Sequence, residues 1–388
     1  IDSVVNGGSN VAAIVRGTFQ VPSWGGQAYV NRGLDGLPET TGTARVDFIL
    51  ALPDAAAITG NAPLLMYQHG SPGSAEGEVP NATSSFLGSA GFAVGGFTDP
   101  LNRVAPTQDE VNFTILGNVL INGEAPDFYI QAYAEQMAFV RALKSLDTLD
   151  VLPLGAPDGT PDVDPSTLVY EGISYGSNHA QALLAYEPEI RAAALVVGAV
   201  RFTELIEYQD RTVPLGGLPL ISGVLGGFLT GVRAPDFWYT LSLFAISYDR
   251  QDPHNHARFI YREPLSIDGV TRKASILMVE GLDDSFTSNN SSRSLARQLG
   301  GIPQLAPAPV PVPDLTSLPG PIQANVDFET TAAMVQYLPA GNSLGLPPSA
   351  GCPFQFEGHY CAQTAPEARA QRVDFYQSAL LGVPVIDE

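Results

Sequence analysis

Short apolar runs that end at turn residues alternate with segments of helical spacing along most of the chain. Residues 11–24 and 41–52 are rich in β-branched and apolar side chains and carry Pro22 and Pro53 near their ends, which predicts two strands. Shorter apolar runs predict strands buried on both faces at 64–68, 92–97, 168–172, 192–197 and 275–280. Helical spacing predicts helices over 127–149, 177–186, 289–299 and 366–381. This alternation predicts an α/β fold in which helices flank a mostly parallel sheet.

One long segment interrupts the alternation, because residues 201–267 are aromatic and irregular in pattern. We interpret them as an insertion within a single domain of residues 1–388. Within the insertion, 212–232 lacks charge over about the length of a membrane span. Its two prolines and six glycines argue against a membrane helix, so no integral membrane span is expected. The Pro-rich segment 303–321 is predicted to be an extended surface connection.

Composition narrows the classes of partner. Of the 388 residues, 45% are hydrophobic and 15% are charged, which supplies a core and excludes disorder as the main state. The formal net charge is −21 and the only lysines are Lys144 and Lys273, so binding of nucleic acid or an anionic membrane through a basic patch is not expected. Two cysteines are too few for a disulfide scaffold or a four-cysteine zinc site. Residues 1–8 have neither the basic nor the apolar part of a signal peptide.

A candidate nucleophile lies in the pattern G-x-S-x-G, at Gly172-Ile173-Ser174-Tyr175-Gly176. A serine on a tight turn from strand to helix needs small residues two before and two after it, because the backbones crowd there. Ser174 follows an apolar strand and precedes a helical pattern, so its hydroxyl is expected at a helix N-terminus. A second match contains Ser343, but Leu346-Pro347-Pro348 follows it and cannot open a helix. We therefore predict Ser174 as the nucleophile and Ser343 as a loop residue.

A serine hydroxyl needs a base, and imidazole is the usual one near neutral pH. The chain has five histidines, at positions 69, 179, 254, 256 and 359. In hydrolases built on such a turn the acid and then the histidine follow the serine, which selects His359. The acid should come just after a strand, and Asp283 and Asp284 both follow the strand at 275–280. We prefer Asp284, and Asp283 stays open as the alternative.

The tetrahedral intermediate of acyl transfer needs backbone donors. One candidate is the N–H of Tyr175, which follows the predicted nucleophile. The second is the N–H of Ser71, in the turn His69-Gly70-Ser71-Pro72 after a predicted strand.

With these motifs in order, the chain resembles the serine hydrolases of the α/β-hydrolase superfamily, in particular secreted bacterial esterases and lipases. The matching stretches are 69–72, 172–176, 281–284 and 358–359. The resemblance implies an α/β-hydrolase fold with a cap between the sixth and seventh strands, where 201–267 falls. It implies Ser174 as nucleophile, His359 as base and Asp284 as orienting acid, with Ser71 and Tyr175 in the oxyanion hole, and it implies no cofactor. His-Gly-x-Pro also occurs in epoxide hydrolases and haloalkane dehalogenases, whose nucleophile is an aspartate, so Ser174 disfavours that chemistry.

Secondary signals concern the surroundings of the site. Cys352 and Cys361 bracket His359 and are predicted to form a disulfide, which favours an oxidising compartment and a secreted or periplasmic location. The acidic run 158–165 is interpreted as a solvated turn, with calcium binding left open, and 254–256 as a surface segment, so no metal site is predicted. Residues expected to line a substrate pocket are His69, Phe237, Trp238 and Phe244.

The function predicted from these residues is hydrolysis of a carboxylic ester through an acyl-enzyme. The enzyme would be a carboxylesterase, with lipase or polyester hydrolase activity as narrower options, and its substrate a small-molecule or polymeric ester. Peptidase or amidase action by the same residues and a non-catalytic binding protein of the same fold are the alternatives.

Overall fold

A mixed sheet of eleven strands runs through the described part of the protein. The computed structural model describes residues 1–24, 32–107, 110–111, 114, 125–212, 235–249, 251–349, 351–352, 355 and 357–387. The described strands are β1 (Ser3–Gly8), β2 (Val11–Ser23), β3 (Gly42–Pro53), β4 (Ala62–Gln68), β5 (Ala93–Phe97), β6 (Val163–Ile173), β7 (Ile190–Val196), β8 (Ser275–Gly281), β9 (Gln304–Ala306), β10 (Ser317–Pro319), β11 (Ile322–Gln323), β12 (Ala332–Tyr337) and β13 (Val385–Ile386). Of these, β11 and β13 pair with each other in a separate two-stranded sheet.

Helices cover the sheet on both sides. They are α1 (Ala56–Thr59), α2 (Ala75–Ala82), α3 (Pro100–Val104), α4 (Ala125–Lys144), α5 (Tyr175–Tyr186), α6 (Phe202–Thr212), α7 (Pro235–Tyr248), α8 (Pro253–Tyr261), α9 (Asn289–Gln298), α10 (Gly358–Thr364) and α11 (Pro366–Leu381). A π-helical turn (Thr83–Leu87) continues from α2. Among the residues described, no helix is long and apolar enough to cross a membrane.

The sheet is antiparallel at one edge and parallel elsewhere. Its order is β1-β2-β3-β5-β4-β6-β7-β8-β12-β9-β10, and every pairing from β5 to β10 is parallel. In register, Gln68 pairs with Gly172 and Val196 pairs with Val279. The carboxyl ends of β4, β6, β7 and β8 therefore meet along one edge, where ligands bind in open α/β sheets.

The core lies in two layers, one on each face of the sheet. Along β4, Leu64 and Met66 belong to one buried cluster, while Leu65 and Tyr67 belong to the other. Every residue of β8 is buried. Burial on both faces explains why these strands are continuous apolar runs in the sequence, because neither face needs polar side chains.

The structure differs from the sequence prediction in three segments. Residues 303–321, expected as a surface connection, contain β9 and β10, which extend the sheet beyond β12. The helix predicted over 127–149 ends at Lys144. The insertion, expected to be irregular, carries α6, α7 and α8. It joins β7 to β8, which are the sixth and seventh strands if the count starts at β2. Most of the uncharged stretch 212–232 lies outside the described residues.

Candidate active site

Ser174 occupies a strained turn between β6 and α5. Its φ is 53° and its ψ is −112°, a left-handed conformation that non-glycine residues seldom adopt. The Ser174 N–H still donates to Val196 O at 2.8 Å, so the turn is anchored to the neighbouring strand. A strained turn between a buried parallel strand and a helix is the position at which a nucleophilic serine is expected.

Two glycines make this turn possible because backbones approach closely on both sides of it. A Cβ on Gly172 would lie 2.7 Å from Gly176 O, and one on Gly176 would lie 2.2 Å from Gln68 O. Both distances are shorter than real Cβ contacts, so a side chain at either position would push α5 away from the strands. The spacing G-x-S-x-G thus has a steric cause in this chain.

His359 and Asp284 form a buried hydrogen-bonded pair. The distance between His359 Nδ1 and Asp284 Oδ2 is 2.7 Å, and both side chains are almost fully buried. A carboxylate only accepts, so Nδ1 carries the proton and the lone pair of Nε2 is left to act as a base. Asp284 follows β8 and His359 lies in the first turn of α10, and the structure brings these two predicted residues together.

Asp284 is held by backbone donors as well as by the imidazole. Its Oδ1 accepts from Phe286 N at 2.8 Å and Thr287 N at 2.7 Å. Burial raises the pKa of Asp284, and His359 together with these N–H groups acts against that shift. The ring of Phe286 packs 5.1 Å from the imidazole of His359, which limits the rotation of the ring.

Among the described contacts, Ser174 and His359 are not hydrogen-bonded to each other. Ser174 follows β6, and His359 binds Asp284, which follows β8, so both belong to the edge of the sheet where the parallel strands end. In enzymes without substrate such contacts are commonly long and shorten when substrate binds. The structure thus joins two of the three predicted catalytic side chains directly.

Asp283, the alternative acid, points elsewhere. Its Oδ1 accepts from Ser343 Oγ and its Oδ2 from Ser343 N, both at 2.6 Å. The serine of the second G-x-S-x-G match therefore binds the alternative acid in a loop. Both carboxylate oxygens of Asp283 are thus bound by Ser343, whereas the imidazole of His359 is bound by Asp284.

Comparison with known proteins finds similar folds at low sequence identity. No family model matches the chain, and no curated protein matches it. The chain is similar to the acylaminoacyl peptidase of Pyrococcus horikoshii (11% identity, TM-score 0.47), covering 97% of this chain but only 42% of that one. It is similar to acetyl xylan esterase 1 of Thermoanaerobacterium sp. (13%, 0.41), covering 77% and 75% of the two chains. It is also similar to a puromycin-hydrolyzing peptidase of Mycobacterium tuberculosis (14%, 0.42), covering 90% and 39%.

The parallel sheet, the helices on both of its faces and the strained serine turn after β6 decide the fold. The chain has the α/β-hydrolase fold. In this fold, residues 201–267 follow the carboxyl end of β7, next to the turn that holds Ser174.

The turn after β4 lies against Ser174. A Cβ on Gly70 would lie 3.4 Å from Ser174 Cβ, so the backbone of 69–72 borders the serine. Tyr175 is the first residue of α5, and its N–H has no acceptor within the helix because the first turn of a helix leaves such groups free. Tyr175 and the turn 69–72 that contains Ser71, the two predicted sources of oxyanion donors, thus both border Ser174.

A buried polar network supports this turn, and the sequence prediction missed it. Asp99 Oδ2 lies 3.1 Å from His69 Nε2 and accepts from Asn102 Nδ2 at 2.6 Å. Asn102 Oδ1 in turn accepts from Ser71 Oγ at 3.1 Å, and His69 Nδ1 donates to Gly70 O at 2.7 Å. Asp99-Pro100 after a strand is the sequence feature that indicates a helix start here, because Asp followed by Pro typically begins a helix.

The residues predicted to line a substrate pocket have surroundings that differ from one another. The His69 ring is fully buried beneath the turn, where it binds backbone and carboxylate, so it does not line a pocket. Trp238 on α7 has half of its surface exposed. The side chains of Phe237 and Phe244 lie outside the described residues.

Carboxylates of the acidic run 158–165 and the ring of His256 have partners within the protein. Asp158 accepts from Thr160 N at 2.8 Å and Asp162 accepts from Val151 N at 2.7 Å, so these carboxylates stabilise turns. The His256 ring packs against two tyrosines of the helices beside it. Throughout the described ranges, no group of three or more His, Cys, Asp or Glu side chains could hold a metal ion. Cys352 and Cys361 form the predicted disulfide.

His179 is a buried histidine one turn beyond the serine. Its ring is 4.2 Å from that of Tyr175, and neither ring nitrogen has a hydrogen-bond partner in the described structure. Burial lowers the pKa of His179 to about 4. The unfolded chain, with a pKa of about 6.5, binds the proton more readily, so His179 destabilises the folded state as the pH falls from about 6.5 to 4.

We therefore expect His179→Phe, which keeps an aromatic ring, to reduce the loss of stability in acid. Between pH 7 and pH 5 the wild-type free energy of unfolding should fall by about 2 kcal/mol more than that of the variant, since each pKa unit corresponds to about 1.4 kcal/mol. Urea unfolding of both proteins at the two pH values measures the difference. An identical pH dependence would show that the ring is not buried in its neutral form.

Proposed function

We propose that this protein is a serine hydrolase that cleaves carboxylic esters through an acyl-enzyme. The observation that carries the proposal is the buried Asp284–His359 pair, at 2.7 Å, on the sheet edge where the strained Ser174 also lies. A carboxylate that fixes the imidazole tautomer and a serine on a tight turn between strand and helix are the groups that a catalytic triad needs. A second histidine–carboxylate pair at this edge, His69 with Asp99, is fully buried beneath the turn after β4, and Asp283 is bound to Ser343.

In the proposed mechanism Ser174 Oγ attacks the ester carbonyl while His359 Nε2 takes its proton. The new oxyanion accepts hydrogen bonds from the N–H groups of Ser71 and Tyr175. His359 then gives the proton to the departing alcohol oxygen, which leaves an acyl group on Ser174. Water attacks this acyl-enzyme with the same imidazole as base, and the carboxylic acid is released.

The buried partners of each group support this assignment. Asp284 stabilises the imidazolium that forms during attack, and its own charge is compensated by two backbone N–H groups. The network from Asp99 through Asn102 to Ser71 Oγ fixes the turn that would supply one oxyanion donor. Donors fixed before the reaction need no reorganisation when charge develops, and this is the largest source of rate in such sites.

We further propose that 201–267 is a cap over the site and that the ester has an apolar acyl or alcohol part. On α7, Leu241 and Tyr248 are buried, while Trp238, Tyr239, Leu243 and Ile246 are exposed. The Tyr248 ring packs 5.9 Å from Tyr129, whose ring is 5.5 Å from Tyr175, so the helix is anchored beside the residue after the serine. Lipase or polyester hydrolase activity is the narrower form of this proposal.

A panel of p-nitrophenyl esters with acyl chains of increasing length, run beside the matching p-nitroanilides, tests the reaction class. We expect turnover of the esters, with kcat/KM rising from acetate to chains of medium length, and much slower turnover of the anilides. A preference for the anilides would make the protein an amidase or peptidase. Hydrolysis of neither set would favour a binding protein of the same fold.

The disulfide supports a secreted or periplasmic location, since such bonds persist in oxidising compartments. Fractionation of cells that produce the protein, followed by immunodetection, tests this part of the proposal. We expect the protein outside the cytoplasm, and its presence in the cytoplasmic fraction alone would contradict the location.

A further inference from the structure

One carboxylate outside the proposed triad is hydrogen-bonded to the segments of both the acid and the base. Glu357 Oε1 accepts from His359 N at 2.9 Å and from Ser285 N at 3.2 Å. Glu357 Oε2 accepts from Ser285 Oγ. Ser285 is the residue after Asp284, so this single side chain connects the turn that carries the acid to the helix that carries the base.

The two segments also touch through backbone alone. Gly358 N donates to Asp283 O at 3.2 Å, and a Cβ on Gly358 would lie 1.9 Å from Leu282 O. A Cβ on Gly281 would lie 2.1 Å from Gly358 O. This close approach sets how near the two segments can come, but one backbone hydrogen bond leaves them free to rotate or slide. The three contacts of the Glu357 carboxylate restrict that remaining freedom.

We propose that Glu357 is a positioning residue that holds His359 in register with Asp284, an inference that rests on the proposed function. Its carboxylate reaches the backbone of His359 and not the ring, so it acts through the position of the imidazole. A displacement of about 1 Å in a catalytic group costs up to about 100-fold in rate. The bond between Nδ1 and Oδ2, at 2.7 Å, is sensitive to such a displacement.

Glutamine is a conservative replacement for Glu357, because it can make all three contacts. In Glu357→Gln the amide oxygen can accept from both N–H groups, and the amide nitrogen can donate to Ser285 Oγ, since a hydroxyl both donates and accepts. Glu357→Ala loses all three contacts. We expect kcat for ester hydrolysis to fall about 10- to 100-fold in the alanine variant with KM within about twofold. The glutamine variant should retain kcat within about threefold.

A double-variant comparison separates positioning from general loss of stability. Ser285→Ala removes one of the contacts and should lower kcat about threefold to tenfold. Because the two side chains act through one bridge, Glu357→Ala combined with Ser285→Ala should be little slower than Glu357→Ala alone. Glu329→Ala, which removes a carboxylate from an exposed turn, is the matched control and should leave both kcat and KM unchanged.

A second readout does not depend on hydrolysis. The proton between His359 Nδ1 and Asp284 should give a downfield NMR signal in wild type, assigned by its loss in Asp284→Asn. We expect that signal in Glu357→Gln and Ser285→Ala, and its loss or broadening in Glu357→Ala at a temperature where the variant is still folded. If Glu357→Ala does not fold, reduced kcat in Ser285→Ala with unchanged KM supports the bridge, and unchanged kcat overturns it.

The outcomes of this experiment are distinct from those of the proposed function. Wild-type kcat and an intact NMR signal in Glu357→Ala would overturn the positioning role while leaving the hydrolase proposal standing. Absence of ester hydrolysis in wild type would overturn the proposed function, and the NMR signal would still decide whether Glu357 holds the imidazole in place.

Discussion

Replacing Ser174 with alanine should lower kcat for ester hydrolysis by a factor of about 10⁴ or more. The reason is that no other hydroxyl occupies the strained turn at the end of β6, so the variant has no group to form the acyl-enzyme. The fold should survive, because Ser174 contributes its backbone to the turn and its side chain caps no N–H group of α5. Initial rates on a p-nitrophenyl ester, with circular dichroism to check folding, measure the effect.

The chain supplies its own control for this experiment in the second G-x-S-x-G match. Ser343→Ala removes the hydroxyl that binds Asp283 and leaves the backbone contact of Ser343 N. We expect kcat to stay within a few-fold of wild type, because the lost hydroxyl binds Asp283 and neither Asp284 nor His359. Full activity in Ser174→Ala, or a large loss in Ser343→Ala, would reverse the assignment of the nucleophile.

Asp284→Asn should lower kcat by about 10⁴, because an amide in place of the carboxylate stabilises the wrong tautomer of the imidazole and gives no charge to balance imidazolium. The carboxylate is buried and bonded to His359 Nδ1 at 2.7 Å, so water cannot take its place. The pH-rate profile and kcat of the variant are the measurements, on the same ester as for Ser174→Ala.

Asp283→Asn is the matched control one residue away. Its carboxylate accepts from the N–H and hydroxyl of Ser343, and an asparagine keeps one acceptor for them. We expect only a small change in kcat. The opposite ranking, with Asp283→Asn the slower variant, would assign the orienting role to Asp283.

Local sequence predicts the turn that carries Ser174, because this turn depends only on residues close together in the chain. The glycines two before and two after Ser174 are required by distances of 2.2 to 2.7 Å to neighbouring backbone, and that crowding is what the motif encodes. The choice between Ser174 and Ser343 followed from the proline residues after Ser343, since they cannot start a helix. The strands that lie inside the sheet were found because burial on both faces leaves a continuous apolar run.

The parts that the sequence did not predict depend on contacts between distant segments. Asp99 and Glu357 precede helices and Asn102 lies in α3, and their partners His69, Ser285 and Ser71 come from segments far away along the chain. β9 and β10 have three residues each, which is too short for a recognisable periodic pattern. They also lie in a Pro-rich segment, whose composition predicts an extended connection and not strands. The prediction that His69 lines a pocket was wrong, because its ring is buried beneath the turn and binds the backbone there.

Covalent labelling with a fluorophosphonate, followed by mapping of the modified peptide by mass spectrometry, tests most directly whether Ser174, His359 and Asp284 act together. The reagent reacts with a serine hydroxyl only when a base activates it. We expect one adduct per chain, on Ser174, with the rate of labelling reduced strongly in His359→Ala and in Asp284→Asn. An unmodified Ser174 in wild type, or equal labelling in wild type and His359→Ala, would contradict it.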